Sequence, residues 1–116
     1  MTRLPIDDEH APLYSLGQVA AMLNVQQAFL RRLDEHRVVT PQRSAGGQRR
    51  YSRRDITLVQ YVTELAAEGM TLVAIRRILE LEDELRNLRR ELEDVHQRLA
   101  ARDRERDRAE PAGERD

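Results

Sequence analysis

A leucine-rich heptad repeat places the strongest constraint on how this 116-residue chain can fold. Between positions 78 and 99, apolar residues recur at alternating intervals of three and four. A repeat sustained over three heptads keeps one narrow face of a helix apolar and indicates a coiled coil. A helix packed along its own domain is the alternative, but so small a domain has no surface long enough to cover the stripe. The stripe consists of Ile78, Leu81, Leu85, Leu88, Leu92, Val95 and Leu99.

The heptad region leaves only a small N-terminal part to build a hydrophobic core. Roughly 70 residues remain, a size at which an isolated domain is marginally stable. One Phe, three Tyr and no Trp also indicate a modest core. We therefore expect two chains to pair through a dimerisation helix over residues 71–109, with the coiled coil at about 74–101.

Positive charge is concentrated in one block, although the net charge of the chain is −1. Residues 26–54 contain eight arginines against Asp34 and Glu35, whereas the segment after Gly69 contains eleven arginines against thirteen acids. A localised positive field attracts a polyanion. A solvated basic surface is the simpler alternative. The coincidence of this charge with a turn and helix ends favours nucleic acid as the partner.

Several functional classes are excluded by what the chain lacks. Without cysteine it has no disulfide and no thiolate metal site. Its three histidines, His10, His36 and His96, do not have the spacing of metal ligands, and its glycines form no phosphate-binding loop. We expect no metal, no cofactor and no enzymatic activity. No apolar run approaches the ~18 residues of a membrane span, and the N-terminus has no signal-peptide pattern, so we expect a cytoplasmic, nucleoid-associated protein.

Two short helices are predicted in succession after an unstructured arm at residues 1–13. Ser15 and Gln18 have the spacing of a capping box at the start of the first helix, and Asn24 can end it in a left-handed conformation. The second helix is predicted at about 26–36, where apolar residues repeat every four positions. Two short helices joined by three or four residues form a helix-turn-helix.

A β-hairpin and a third helix are predicted next. Residues 40–43 and 48–51 flank a turn with two glycines, which is typical of a short hairpin, or wing. Ser52 and Asp55 then mark the start of a helix that Gly69 ends. The sequence predicts a mainly α fold, with a winged helix-turn-helix domain at 14–70 followed by the long coiled-coil helix. A disordered tail is predicted at 110–116, after a charged extension.

The order of these elements resembles the MerR family of bacterial transcription regulators, over about residues 14–99. The run Gly-Gly-x-Arg-Arg-Tyr-Ser at 46–52 and the run Ile-Leu-Glu-Leu-Glu at 78–82 are most similar to its heat-shock repressor (HspR) branch. The resemblance implies a winged helix-turn-helix dimer joined by an antiparallel coiled coil. It implies that the second helix enters the major groove of a pseudo-palindromic promoter, which family members often distort.

Particular residues match or depart from the family pattern. Arg31 matches the recognition-helix arginine of the family, and three wing residues also match, namely Arg43, Arg49 and Tyr51. The family usually has an aromatic residue at Leu33, glycine at Arg37 and a small capping residue at Gln26. The turn after the second helix is therefore expected to differ or to be strained.

Candidate DNA contacts divide into base readers and phosphate binders. Glutamine can pair with adenine and arginine with guanine, so the base readers are Gln26, Gln27 and Arg31. Two further arginines, Arg53 and Arg54, lie in the first turn of the third helix, where backbone N–H groups also favour an anion. The remaining phosphate candidates are Arg32, Arg49, Arg50 and Tyr51. Arg43 is a further candidate DNA contact, because it matches a wing residue of the family.

The direction of the coiled coil remains open from the sequence. Parallel pairing would join Arg77 to Glu82 and Glu84 to Arg89, which is attractive. The family resemblance implies the antiparallel arrangement instead, and surface pairs worth about 0–1 kcal/mol do not overrule domain geometry.

The sequence thus predicts a dimeric, sequence-specific DNA-binding regulator that represses transcription or distorts promoters. Its predicted partners are double-stranded DNA and a second copy of the chain, with RNA polymerase or a chaperone as further candidates. The alternative function is a coiled-coil adaptor, or an architectural or recombination module, that binds DNA without regulating transcription.

Overall fold

The structure is a computed structural model, and it describes Leu4 and residues 7–109. The chain divides into two compact units, residues 1–79 and residues 80–116. The described residues are mainly helical, with a small winged helix-turn-helix followed by a long helix, as predicted. The helices are α1 (Leu16–Leu23), α2 (Gln27–Glu35), α3 (Arg53–Ala67) and α4 (Leu72–Ala109). The strands are β1 (Tyr14–Ser15), β2 (Gln42–Arg43) and β3 (Arg49–Tyr51).

The predicted capping of α1 is confirmed at both ends. The Gln18 backbone N–H donates to Ser15 Oγ (3.2 Å), and the Ser15 N–H donates to Gln18 Oε1 (2.8 Å). This reciprocal pair satisfies two backbone donors that a helix start would otherwise leave unpaired. Asn24 ends α1 in the left-handed region at φ 53°. The short turn that follows brings α2 directly against α1.

The N-cap of α2 and the turn that follows the helix are both occupied by residue types that are uncommon at such positions. Gln26 occupies the N-cap, and within the described part of the chain its side chain makes no capping hydrogen bond. After α2, Arg37 adopts a left-handed conformation at φ 56°, while the Val38 N–H donates back to the Leu33 carbonyl (2.8 Å). The expected strain at Arg37 is therefore confirmed, because this conformation costs a residue with a Cβ about 1–2 kcal/mol.

The described strands form one antiparallel sheet in the order β1-β3-β2. The predicted wing is the β2–β3 hairpin, in which Gln42 pairs with Arg50 and Arg43 pairs with Arg49. Gly47 provides the positive φ of its turn, at 81°. The strand β1 was not predicted, and it adds Tyr14 opposite Tyr51 on the other edge of β3.

Helix α3 starts after Ser52, as predicted, and Ser52 and Asp55 in addition form a capping box that was not predicted. The Asp55 N–H donates to Ser52 Oγ (3.0 Å), and the Ser52 N–H donates to Asp55 Oδ2 (2.9 Å). Gly69 follows the helix with a φ of 95°. The core of residues 1–79 packs between the first three helices, the sheet and the start of α4. Its buried side chains are Val19, Ala20, Leu30, Leu33, Val38, Val39, Tyr51, Ile56, Val59, Val62, Leu65 and Ile75.

Part of the predicted N-terminal arm contacts the rest of this unit. The Arg54 N–H donates to the Glu9 carbonyl (3.0 Å), and the Leu13 N–H donates to the Tyr51 carbonyl (3.1 Å). Residues 7–13 therefore have defined contacts with β3 and the start of α3. The remaining arm residues, apart from Leu4, and the predicted tail at 110–116 lie outside the described residues.

The predicted apolar stripe lies on α4. In the first unit, Ile78 is half-buried against the core. In the second unit the rest of the stripe is exposed, namely Leu81, Leu85, Leu88, Leu92, Val95 and Leu99. The coiled coil itself stays a prediction, because it requires a second chain. Within the described residues, no helix has the length and apolar character needed to cross a membrane.

Candidate nucleic-acid interface

An open cleft of about 350 Å³ lies between the start of α1, the exposed face of α2 and the wing. Arginine side chains from α2 and both wing strands reach it, and the first turn of α1 forms another wall. Backbone N–H groups at a helix start favour an anion, as do guanidinium groups. The cleft is lined by Ser15, Leu16, Gly17, Arg31, Arg43, Gly47, Gln48, Arg49 and Arg50.

The predicted base readers lie together at the start and middle of α2. Gln26, Gln27 and Arg31 are all exposed. Arg31 Nη2 donates to Gln27 Oε1 at 3.3 Å, as expected for side chains one helical turn apart. The partner of Arg31 is a neutral amide, so no acid offsets the positive charge of its guanidinium in this contact. This face of α2 combines the two side-chain types that pair with adenine and guanine.

Arg32, the predicted phosphate contact beside Arg31, is separated from the cleft. It lines another groove of about 510 Å³, together with Val25, Phe29 and Ala66. Consecutive residues of a helix point about 100° apart, so Arg31 and Arg32 serve different surfaces. The two arginines, which were predicted to have different roles, therefore lie on different surfaces of α2.

The wing arginines Arg43 and Arg49 both bind one carboxylate on α2. Asp34 Oδ2 accepts a hydrogen bond from Arg49 Nε at 2.7 Å and another from Arg43 Nη2 at 3.1 Å. Arg43 also donates from Nη1 to the Gly47 carbonyl at 3.1 Å. Both arginines line the cleft, but both are already paired with an acid. Arg50 instead donates to the neutral Gln48 side chain at 3.2 Å.

The structure places Tyr51 differently from the prediction of a phosphate contact. Its side chain is packed in the core, with 1% of the residue exposed. Its hydroxyl is buried and has no hydrogen-bond partner among the described residues. Burial raises the pKa of Tyr51 to about 12, an effect that the nearby Arg49 guanidinium partly opposes. In this arrangement the hydroxyl is not offered to a phosphate, and the ring supports the wing from inside.

Arg53 and Arg54 lie where they were predicted, in the first turn of α3, and both are exposed. Part of this helix start is already occupied by the N-terminal arm. Arg53 Nη2 donates to the Asp7 carbonyl at 3.2 Å, and the Arg54 N–H is bound by the Glu9 carbonyl. The two arginines therefore form a site beside the arm, apart from the residues that line the cleft.

Sequence reasoning missed Asp34 and the first turn of α1. One available signal was the position of Asp34 in the last turn of α2, where the helix dipole disfavours a negative charge. An acid there suggests a partner outside its own helix. Among the described residues, no group of three or more His, Asp or Glu side chains is placed to hold a metal ion.

Comparisons with known proteins identify related sequences and folds. The sequence profile described as MerR HTH family regulatory protein matches residues 14–82. The chain is 40% identical over 81 residues to the Streptomyces coelicolor protein named as heat shock protein HspR, covering 69% of this chain and 54% of that protein. It is 27% identical over 73 residues to the HTH-type transcriptional regulator GlnR of Bacillus cereus, covering 63% of this chain and 57% of that protein. The chain thus spans about half the length of the curated relatives it matches.

Two solved structures share the fold. One is a MerR family transcriptional regulator from Bacillus cereus, with a TM-score of 0.53 and 22% identity, covering 77% of this chain and 72% of the other. The second is HiNmlR, described as a MerR family regulator that lacks the sensor domain, bound to promoter DNA. Its TM-score is 0.55 at 22% identity, covering 81% of this chain and 82% of the other.

Proposed function

This chain belongs to the MerR HTH family of regulatory proteins, and from that premise we propose that it binds promoter DNA as a homodimer and regulates transcription. The observation that carries the proposal is the cleft in which arginines from α2 and the wing gather beside the first turn of α1. DNA presents a dense row of phosphates, and clustered arginines supply the matching charge. The proposed DNA-binding part is the winged helix-turn-helix domain at residues 14–70.

The exposed face of α2 is the proposed base-reading surface. Gln26, Gln27 and Arg31 would enter the major groove, where glutamine pairs with adenine and arginine with guanine. Arg50 would bind phosphate at the wing, and Arg53 and Arg54 would do so at the start of α3. Arg32, on the adjoining groove, would reach a more distant phosphate.

The apolar stripe on α4 is the proposed dimerisation surface. An exposed row of leucine and valine side chains on α4 is covered most simply by the same row of a second copy. We propose an antiparallel coiled coil at about residues 74–101 of the dimerisation helix, as the family resemblance implies, although the flanking charges favour a parallel one. A spin label at Leu99 distinguishes them, since two labels lie close together only in the parallel dimer.

Binding to the DNA upstream of the chain's own gene tests the proposed function. We expect retention of this duplex over a scrambled one, with a footprint of two-fold symmetry. If a dimer neutralises roughly 8 phosphates, the logarithm of the binding constant should fall with the logarithm of salt concentration at a slope near about −7. Equal binding to both duplexes would favour an architectural module, and a flat salt response would contradict the proposed interface.

A further inference from the structure

We propose that Asp34 is a positioning residue for DNA binding, which fixes the wing against α2 and so sets the shape of the arginine-lined cleft. This inference rests on the proposed function. Asp34 would not touch DNA itself. It would act through Arg43 and Arg49, which its carboxylate holds in place.

The position of Asp34 shows that it does not serve its own helix. It lies in the last turn of α2, where the partial negative charge of the helix end disfavours a carboxylate. Its side chain is only 11% exposed, so water supplies little compensation. The compensation comes from two guanidinium groups that lie 9 and 15 residues further along the chain. The carboxylate therefore links α2 to a separate element, the wing.

The pairing of two arginines across the wing explains why an acidic side chain is needed beside it. Arg43 and Arg49 are directly opposite each other in the register of β2 and β3. Like charges in such a cross-strand pair destabilise a hairpin. Asp34 Oδ2 binds both of them, which replaces a repulsion with two charge-assisted hydrogen bonds. Arg43 extends the connection to the wing turn through the Gly47 carbonyl.

The network changes the roles of the cleft arginines. Asp34, Arg43 and Arg49 together carry one positive charge instead of two, and the Arg49 side chain is only 19% exposed. Arg31 and Arg50 bind neutral glutamine side chains, so no carboxylate in these contacts offsets their positive charge towards a ligand. We call the network of Asp34, Arg43 and Arg49 the clamp, and we infer that it holds the wing in position against α2. Arg31 and Arg50 are the cleft arginines that we expect to contact DNA.

The sign of one substitution distinguishes this assignment from simple electrostatics. Removing an acid from a surface that binds a polyanion should strengthen binding, because one repulsion is lost. The clamp predicts the opposite for Asp34→Asn, since Arg43 and Arg49 would then repel each other and loosen the wing. The matched control is Glu35→Gln, which removes the same charge from the exposed neighbouring position of α2.

Two measurements on the full chain test the proposal. Fluorescence anisotropy on the upstream duplex should show about tenfold weaker binding for Asp34→Asn, which corresponds to about 1.4 kcal/mol, and unchanged or tighter binding for Glu35→Gln. Amide hydrogen exchange on the free protein should show faster exchange in residues 42–51 for Asp34→Asn only. Asp34→Glu keeps the charge and should lie closer to the wild type than Asp34→Asn in both measurements.

The outcomes distinguish failure of the clamp from failure of the proposed function. If wild-type protein ignores its upstream duplex, the proposed function fails, and hydrogen exchange still tests the clamp. If wild-type protein binds and Asp34→Asn binds equally well or more tightly, the clamp is overturned. Should Asp34→Asn fail to fold, Arg43→Gln removes one arm of the clamp at a side chain that is 51% exposed. Unchanged wing exchange in Arg43→Gln would also overturn the inference.

Discussion

Truncation of one leucine on α4 gives the most direct test of the proposed dimer. Leu88 belongs to the apolar stripe, and it is 61% exposed in the single chain. Full burial of a leucine side chain contributes about 1.5–3 kcal/mol, so covering this exposed part would contribute about 1–2 kcal/mol per chain. Because a dimer buries two copies, Leu88→Ala should cost about 2–4 kcal/mol of association free energy.

This loss is large enough to measure directly. Each 1.4 kcal/mol changes an equilibrium tenfold, so the dimer Kd should rise between about 30-fold and 1,000-fold. Sedimentation equilibrium over a range of protein concentrations gives the Kd of each variant. The helix itself should be little affected, because leucine and alanine are both strong helix formers.

Arg90→Ala is the matched control. Arg90 is exposed on the same part of α4, away from the stripe, and its side chain bonds the neighbouring Asn87. Its removal should leave the Kd within a few fold, because exposed polar contacts of this kind contribute about 0–1 kcal/mol. The reasoning would be refuted if Leu88→Ala associated as tightly as the wild type, or if both variants lost association equally.

Three further outcomes are expected. Arg31→Ala should relax base preference at one operator position by about 1–3 kcal/mol, whereas Arg50→Ala should weaken binding to all sequences alike. Binding-site selection on both variants measures this, and the opposite pattern would contradict the assigned roles. Tyr51→Phe removes a buried hydroxyl that lacks a partner among the described residues. Urea unfolding should therefore show equal stability, or stability greater by up to about 1 kcal/mol, and DNA affinity should be unchanged. A loss of stability or of DNA affinity would show that the hydroxyl has a functional contact. Because burial raises the pKa of Tyr51 from 10.0 to about 12, the folded state holds this proton more tightly than the unfolded state. The part of the free energy of unfolding that depends on this proton is therefore fully present below pH 10 and is lost as the pH rises towards 12. In urea unfolding at a series of pH values, Tyr51→Phe should lack this part of the loss of stability at alkaline pH.

Contacts between residues close in sequence were predictable. Ser15 and Gln18 are three residues apart, so their capping box was recognised from spacing alone. Ser52 was likewise predicted as a cap, and the structure adds the return contact from Asp55. The turn at Gly47 likewise follows from the tolerance of glycine for positive φ. The unusual turn at Arg37 was expected only from the family resemblance, because the family usually has glycine there. The order of these local elements was sufficient to indicate the family, which the match over residues 14–82 confirms.

The strand β1 shows where local patterns stop being informative. With only Tyr14 and Ser15, it has no alternation to recognise, and it exists because β3 offers an edge for pairing. The burial of Tyr51 has the same origin, since a wing residue becomes a core residue only when the hairpin packs against the helices.

The sequence by itself determined the helices, their caps, the wing turn and the apolar stripe, because each depends on residues within a turn or two of one another. Only the tertiary structure decided which charged groups meet. Asp34 reaches Arg43 and Arg49 because the hairpin folds back onto α2. Electrostatic partners are set by distance in space, and no periodicity in the chain records that distance.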